Sequence, residues 1–407
     1  MNREHKTRKV NNKAVVLGTN YYIGLAVVRS LGRKGIHVVS IDHGGINHYG
    51  KSKYISEAYI APHYSREETG FLNFLLDYGR KQELKPVLFP TADLYVAFMD
   101  KHFDALKEYY LFPMDRSGLL TALMDKSELT RMAEEFGLKT PERLDISEDD
   151  LYQKVKDQIG YPLIVKPDNS ADFVSHYHKK VFFINDESEL KEKIAMTRMD
   201  GHDVSIQRII PGPEKNNYNF DCYVDRNGRM AYYTTEQKIR QWPNNFGAST
   251  LADQRWIKDA ADFSIPFIKW LNYKGFIEIE MKRDSHSGQI YLMEANVRYV
   301  NFTQLHVAIG MDTPYLTYLD CTGQDIGEKI IDYDTGKRWR YLYEDIPAIK
   351  GYLRSGQMTK DEIRSDKNYD EMISAIWSFD DPIPGIVFFL SHAYHKIRKV
   401  LGIEKKS

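Results

Sequence analysis

Cysteine is nearly absent. Two residues, Cys222 and Cys321, among 407 cannot build a disulfide framework, and neither lies in a CxxC or similar metal-ligand spacing. Both sit in apolar runs, so they are expected to be buried structural thiols in a reducing, cytoplasmic setting. Net charge is lacking too: at −1 the chain has no global field to draw in nucleic acid. The apolar run Ile386-Val-Phe-Phe-Leu390 is far too short to cross a bilayer. The first residues carry no apolar stretch of the signal-peptide kind. Glycine is missing where it would say most. The turn Gly18-Thr-Asn-Tyr-Tyr-Ile-Gly24 has neither GxGxxG nor GK[ST] spacing, so its glycines are expected to serve the turn and its packing. No internal repeat or low-complexity tract is present.

What remains is ordinary in bulk and specific in detail. A hydrophobic content of 42% and a charged content of 28% suit a soluble globular chain, and 407 residues suit two or three cores. Residues 1–12 read as a basic, disordered tail. Ala14 to Gly18, Ile23 to Gly32 and His37 to Asp42 read as strand, helix and strand, a unit that builds parallel sheets. With the strand Pro86–Pro90 and the following Thr91-Ala-Asp93 loop, residues 13–115 form an expected N-terminal α/β layer. Helical stretches Leu119–Phe136 and Glu148–Ile159 flank strands at Tyr161–Pro167, Val181–Ile184 and Val204–Ile210, giving a small unit over 116–205. Residues 206–325 hold an antiparallel set (Asn219–Val224, Met230–Ile239), a helix at Asp253–Leu271 and a hairpin. Residues 326–407 read as a helical extension. Its basic last segment, with His392, His395, Lys396, Arg398 and Lys399, is expected to dock its apolar face on the preceding domain. Weak contact with an anionic membrane surface is the alternative.

The hairpin carries the chemistry. Gly275 to Met281 and Met293 to Arg298 alternate with period two, Ile277, Ile279, Met281, Met293, Ala295 and Val297 facing one way. Glu278, Glu280, Glu294, Asn296 and Arg298 face the other. A loop over Ser285–Gln289 places Glu280 across from Glu294, roughly 5 Å apart. Opposed like charges destabilise a sheet unless something binds between them. A hard divalent cation held by carboxylates and an amide oxygen is the natural occupant, and magnesium so held usually also takes phosphates. Arg298, one step along, could reach a phosphoryl group. The plain alternative is a pair of solvated glutamates. Lys126 and Lys166 are basic positions near a helix start and inside an apolar strand. Phosphate is a fitting partner for both, although a snorkelling surface lysine is the plainer reading of each alone.

In order, Asp125-Lys126, Pro162-Leu-Ile-Val-Lys166-Pro, Ile206-Gln-Arg-Ile-Ile-Pro-Gly212, Lys238-Ile-Arg-Gln-Trp-Pro243, Ile277-Glu-Ile-Glu280 and Met293-Glu294-Ala-Asn296-Val-Arg298 resemble the ATP-grasp superfamily. The resemblance covers about residues 13–325 and is closest to the D-aspartate ligase branch of the carboxylate–amine ligases. It implies an α/β fold with a Rossmann-like layer, a small ATP-grasp subdomain and a larger antiparallel one. It also implies ATP and two magnesium ions as cofactors, with manganese a substitute. Lys126 and Lys166 would hold the phosphates, Gln207, Arg208 and Ile209 the adenine edge, and Glu214 the ribose. Lys238, Arg240 and Arg298 would serve the transferred phosphoryl group and the acyl phosphate, while Glu280, Glu294 and Asn296 would hold the metal. Asp93 and the Gly18 turn would border the substrate. The implied partners are an amino acid and an amine acceptor, such as a peptidoglycan precursor, with a homodimer as a further expectation.

Many members of the superfamily close a glycine-rich loop over the phosphates. Here Asp168 to Lys180 contains no glycine, as in the D-aspartate ligase branch, and is expected to be a plain mobile lid, with metal binding by His176 and His178 the lesser reading. Rival readings of the whole are a bicarbonate-using carboxylase and a nucleotide-binding regulator without turnover.

Overall fold

The computed structural model describes residues 11–45, 47–167, 170–366 and 369–400. The basic tail therefore lies almost entirely outside the described residues, as does the start of the expected lid. Three sheets organise the rest. Ile55–Ile60, Val38–Asp42, Ala14–Leu17 and Val87–Pro90 pair in that order, all parallel. Ala14–Leu17 and Val38–Asp42 are buried along their whole length, as expected of central parallel strands covered by helices. Gly18 turns with φ +82°, and a Cβ there would meet Tyr95 and Thr91, so this glycine serves close packing.

A second sheet runs Arg143–Asp145, Val204–Arg208, Leu163–Pro167, Phe182–Ile184, all antiparallel. The helix expected over Leu119–Phe136 is two helices, Leu119–Met124 and Lys126–Phe136. They break at Asp125, whose carboxylate accepts from the backbone N–H of Ser127 and Glu128 and caps the second helix. That cap places Lys126 in the first helical turn. The expected lid also differs: Ser170–Tyr177 is a helix whose Phe173 is buried against Tyr177 and Phe182.

The third sheet runs Ile290–Asn296, Gly275–Arg283, Asn217–Val224, Met230–Trp242, Ala248–Gln254, Lys337–Arg340, Glu371–Ser374. Residues expected to start a helix at Asp253 instead finish a strand, and the helix covers Lys258–Trp270. The C-terminal part is not only helical, since it supplies the last two strands of this order and a short third one, Lys329–Ile330, parallel to Met230–Trp242. It is also tied to the first helix, Tyr22–Arg33. Arg29 and Asp381, each 1% exposed, are 3.0 Å apart.

Two rows of polar side chains cross the third sheet on one face. Glu294, Glu280, Asn219, Glu236 and Gln254 are successive cross-strand partners, and so are Asn296, Glu278, Asp221 and Thr234. Directly paired residues share a face. Both rows begin at the hairpin edge and run inward to positions where Asp221, Thr234 and Glu236 are wholly buried.

Candidate active site

The hairpin pairs Glu280 with Glu294 and Glu278 with Asn296. It reaches this register by a different route from the simple alternation. Arg283 pairs with Ile290, so the loop covers 284–289, one residue longer than expected, and a bulge between the Glu280 and Met281 pairings absorbs Met293. Leu292 therefore takes the core position, and Met293, expected in the core, lines the cleft.

That cleft, about 590 Å³, lies between the second and third sheets. The structure brings Lys126, Lys166, Gln207, Arg208, Ile209, Lys238, Glu280, Glu294, Asn296 and Arg298 to its walls. The Asn296 amide nitrogen donates to Glu278 at 2.7 Å and to Glu280 at 2.9 Å. Lys238 Nζ is 3.6 Å from Glu280, and Arg298 Nε is 2.8 Å from Asp93, which also borders the cleft. Lys126 Nζ donates to the Pro167 carbonyl at 3.2 Å.

The electrostatics are those of like charges held together out of bulk water. Burial, then repulsion from Asp221 and Glu280, pushes the Glu278 carboxyl well above the usual carboxylate range. Desolvation in the cleft, then Glu280, raises that of Glu294. Burial alone would lower the Lys238 ammonium, but Glu280 and the neighbouring carboxylates hold it up. A cation among Glu280, Glu294 and Asn296 would relieve this repulsion. The donor set, carboxylates with an amide oxygen, fits a hard divalent ion.

Two expected site residues are turned elsewhere. Arg240, expected with Lys238 at the transferred phosphoryl group, is flanked by register shifts that break the alternation of its strand. Its guanidinium is buried, donating to Asp345 at 2.7 and 3.0 Å and to Asp366. It therefore ties its strand to the C-terminal segment. Glu214, expected at the ribose, is buried. Its carboxylate accepts from Gln241 Nε2 at 2.7 Å, the Tyr352 hydroxyl at 2.8 Å and the Asn245 backbone at 3.1 Å. Arg208 reaches the cleft wall while its side chain pairs with Glu142 and Asp284. His176 lies 3.4 Å from Asp200, and neither it nor His178 lines the cleft.

Comparison with known proteins bears on the architecture. No family model matches. D-aspartate ligase of Enterococcus faecium (strain Aus0004) is 24% identical over 224 residues, 53% of this chain; the match spans about half the length of that curated relative, 53%. Among solved structures, N5-carboxyaminoimidazole synthetase from Staphylococcus aureus, complexed with ADP, superposes with a TM-score of 0.61 at 18% identity. That likeness covers 79% of this chain and 80% of the other. An L-amino acid ligase from Bacillus licheniformis gives 0.57 at 15% identity, covering 78% and 77%. Biotin carboxylase from Campylobacter jejuni, in complex with β-γ-ATP, gives 0.61 at 14% identity, covering 78% and 72%. The fold is the ATP-grasp fold.

Sequence reasoning passed over several residues of this ATP-grasp cleft. Lys282 lines it two positions beyond Glu280, where period-two alternation already pointed. Glu278 was placed on the correct face yet left out of the candidate metal set. Lys180 also lines the cleft, and burial lowers its ammonium. Nothing in the sequence singled out His306, which sits against Asp221 and Glu236 further along the same sheet face.

Proposed function

We propose that this chain is an ATP-dependent ligase that joins a carboxylate to an amine through an acyl phosphate. A carboxylate oxygen attacks the γ-phosphorus, the bond to the bridging oxygen breaks and ADP leaves. The amine nitrogen then attacks the acyl carbon, the bond to phosphate breaks, and phosphate and one amine proton are released. The observation that supports this most is the convergence of Lys126, Lys166, Lys238 and Arg298 with Glu280, Glu294 and Asn296 on one cleft. Two negatively charged reactants must meet there, so catalysis rests on positioning and on charge neutralisation. The lysines would hold phosphate oxygens, and Gln207 and Ile209 would meet the adenine edge. Arg298, oriented by Asp93, would steady the transferred group. Glu280, Glu294 and Asn296 would hold magnesium, as two ions, with manganese able to replace it. When bound, the metal neutralises phosphate charge.

The D-aspartate ligase match favours an amino acid such as D-aspartate as the carboxylate and a peptidoglycan precursor as the amine. A cytoplasmic location, where ATP is supplied, is part of this reading. The test is ADP and phosphate release across D- and L-amino acids, with and without a muropeptide precursor. Release with D-aspartate only when precursor is present supports it. Release that requires bicarbonate instead would make the chain a carboxylase, and nucleotide binding without release under any condition would make it a regulator.

A peripheral membrane contact extends the reading. Among the described residues, no helix is long and apolar enough to cross a membrane. The helix Ile383–Val400 does not bury its whole apolar face as expected. Phe388 is buried, but Ile383, Ile386, Phe389, Leu390 and Ile397 are exposed. Its 18 residues include no acid and several bases, matching an anionic lipid surface. Sedimentation with anionic but not zwitterionic vesicles would bear this out. A homodimer in solution with no vesicle binding would assign the face to a second copy.

A further inference from the structure

Further along the face that lines the cleft, the polar rows of the third sheet run into a closed chamber. Asp221 on Asn217–Val224 and Glu236 on Met230–Trp242 meet His306 on the helix Thr303–Ile309. All three side chains are 0% exposed. His306 Nε2 lies 3.3 Å from Glu236 Oε1 and 3.6 Å from Asp221 Oδ2, and one ligand atom from each residue lies within 4.8 Å of the others. Yet none of the six side-chain polar atoms of the trio has a hydrogen-bond partner of acceptable geometry. The unpartnered Glu278 Oε2 belongs to the next strand along the same row, and the unpartnered Asn219 Nδ2 to the strand that carries Asp221.

Buried charges are kept only when paired or ligated, and unpartnered ones are expensive. An ordinary hydrogen-bonded triad would show contacts near 2.7–2.9 Å with aligned donors. Here the 3.3 Å separation of His306 from Glu236 matches another geometry. A tetrahedral ion with bonds of about 2.0–2.1 Å to nitrogen and oxygen has ligand–ligand edges of about 3.3 Å. Two carboxylates and a neutral imidazole around a divalent ion also sum to zero charge, which is the state a dry interior tolerates. An imidazole ligand selects a first-row transition metal over magnesium or calcium.

We propose that Asp221, Glu236 and His306 form a second, structural metal site for a divalent transition ion of the zinc class, separate from the nucleotide-facing carboxylates. The ion pins two central strands of the third sheet to the helix above them. It thereby fixes the floor on which Glu278 and Asn296 stand. The ion enters during folding, because the folded chamber is sealed.

The test uses the full chain and zinc itself. Wild-type protein is unfolded in guanidinium with a chelator, refolded with or without zinc, and passed through EDTA before elemental analysis. The expected result is close to one zinc per chain that survives EDTA, and a higher melting temperature than the zinc-free preparation. Cobalt refolded in place of zinc gives the visible absorption of a low-coordinate site. His306→Gln and Asp221→Asn lose the retained zinc at least tenfold. Glu294→Gln keeps it, which separates this site from the nucleotide's metal and from any failure of the ligase reading. Should the two chamber variants not fold, the wild-type arms decide alone. Wild-type protein that holds well under one zinc and melts at the same temperature either way overturns the proposal.

Discussion

The third sheet carries the same kind of side chain at two ends of the same rows, and the two ends do different work. At the hairpin edge Glu280 and Glu294 open onto the cleft, with Lys238 3.6 Å from Glu280. On the next two strands inward, Asp221 and Glu236 are sealed beneath a helix, with His306 as their neighbour. Water and ligands can screen the outer carboxylates, so their repulsion costs the fold little and remains available to draw in a cation with a phosphate. The inner carboxylates have no such outlet, so whatever neutralises them belongs to the fold. On the proposed reading, open acids bear on turnover and closed ones on stability.

Lys238 and Arg240 provide the sharpest break of that comparison, two residues apart on one strand. Arg240→Ala takes from Asp345 and Asp366 the cation that joins them, leaving Arg340 2.7 Å from Asp345 and Lys215 3.7 Å from Asp366, so we expect a loss of about 3 kcal/mol, the lower end for a broken buried pair, read by denaturant unfolding. Lys238→Ala should melt close to wild type while ADP release collapses. An Arg240→Ala protein of normal stability but reduced turnover would return Arg240 to the cleft.

Glu294→Gln tests the open end directly. Removing one charge from the cation-facing set should lower ADP release by about 10²- to 10³-fold, the scale of losing one well-placed electrostatic contact to a transition state. The melting temperature should be unchanged. If the activity survives, the metal is held elsewhere.

The contrast also shows what could be read from the chain alone. The acidic face of the hairpin was legible because a period-two pattern on both arms fixes side-chain direction. The pairing of Glu280 with Glu294 emerged correctly because two departures cancelled: a longer loop and a bulge at Met293. Around Arg240 the register shifts are not balanced, and a residue expected at the phosphoryl group is a buried anchor instead. The parallel N-terminal layer was legible from its apolar strands, whereas the two C-terminal strands were not. They join the sheet through pairings with residues far away in sequence. The burial of Glu214 was not legible for a related reason: its partners Gln241, Asn245 and Tyr352 arrive from distant segments. His306 was invisible because a single histidine in an apolar helix carries no spacing signal.

At the closed end, the sign of one substitution is informative. Glu236→Gln keeps the shape and removes a charge. With an ion in the chamber, the change strips a ligand, and we expect about 1–3 kcal/mol of destabilisation by thermal and denaturant unfolding. With no ion there, burial pushes the Glu236 carboxyl up to about 8, so at neutral pH the exchange replaces a largely neutral acid and stability would not fall.

The open-against-closed contrast recurs in miniature where the C-terminal loop meets the first helix, and it gives the smallest expected effect. Arg29 and Asp381 are buried, whereas the neighbouring Arg33–Asp380 pair is 34% and 41% exposed at 2.8 Å. Hydrogen bonds from Arg33, and then from Ser378 and Tyr54, outweigh partial burial and hold the Asp380 carboxyl far below its usual range. A depressed folded-state pKa means the contribution is fully present above the unfolded value, about 3.9. It is lost as the pH falls from there through the depressed folded value. Solvent screening of so exposed a pair limits it to under about 1 kcal/mol. Asp380→Asn should therefore lower stability slightly at pH 7 and flatten the acid limb below about pH 4, where wild type and variant converge. Asp381→Asn, lacking that screening, should cost several times more at neutral pH. Equal losses in the two variants would mean that exposure does not divide the pairs as argued.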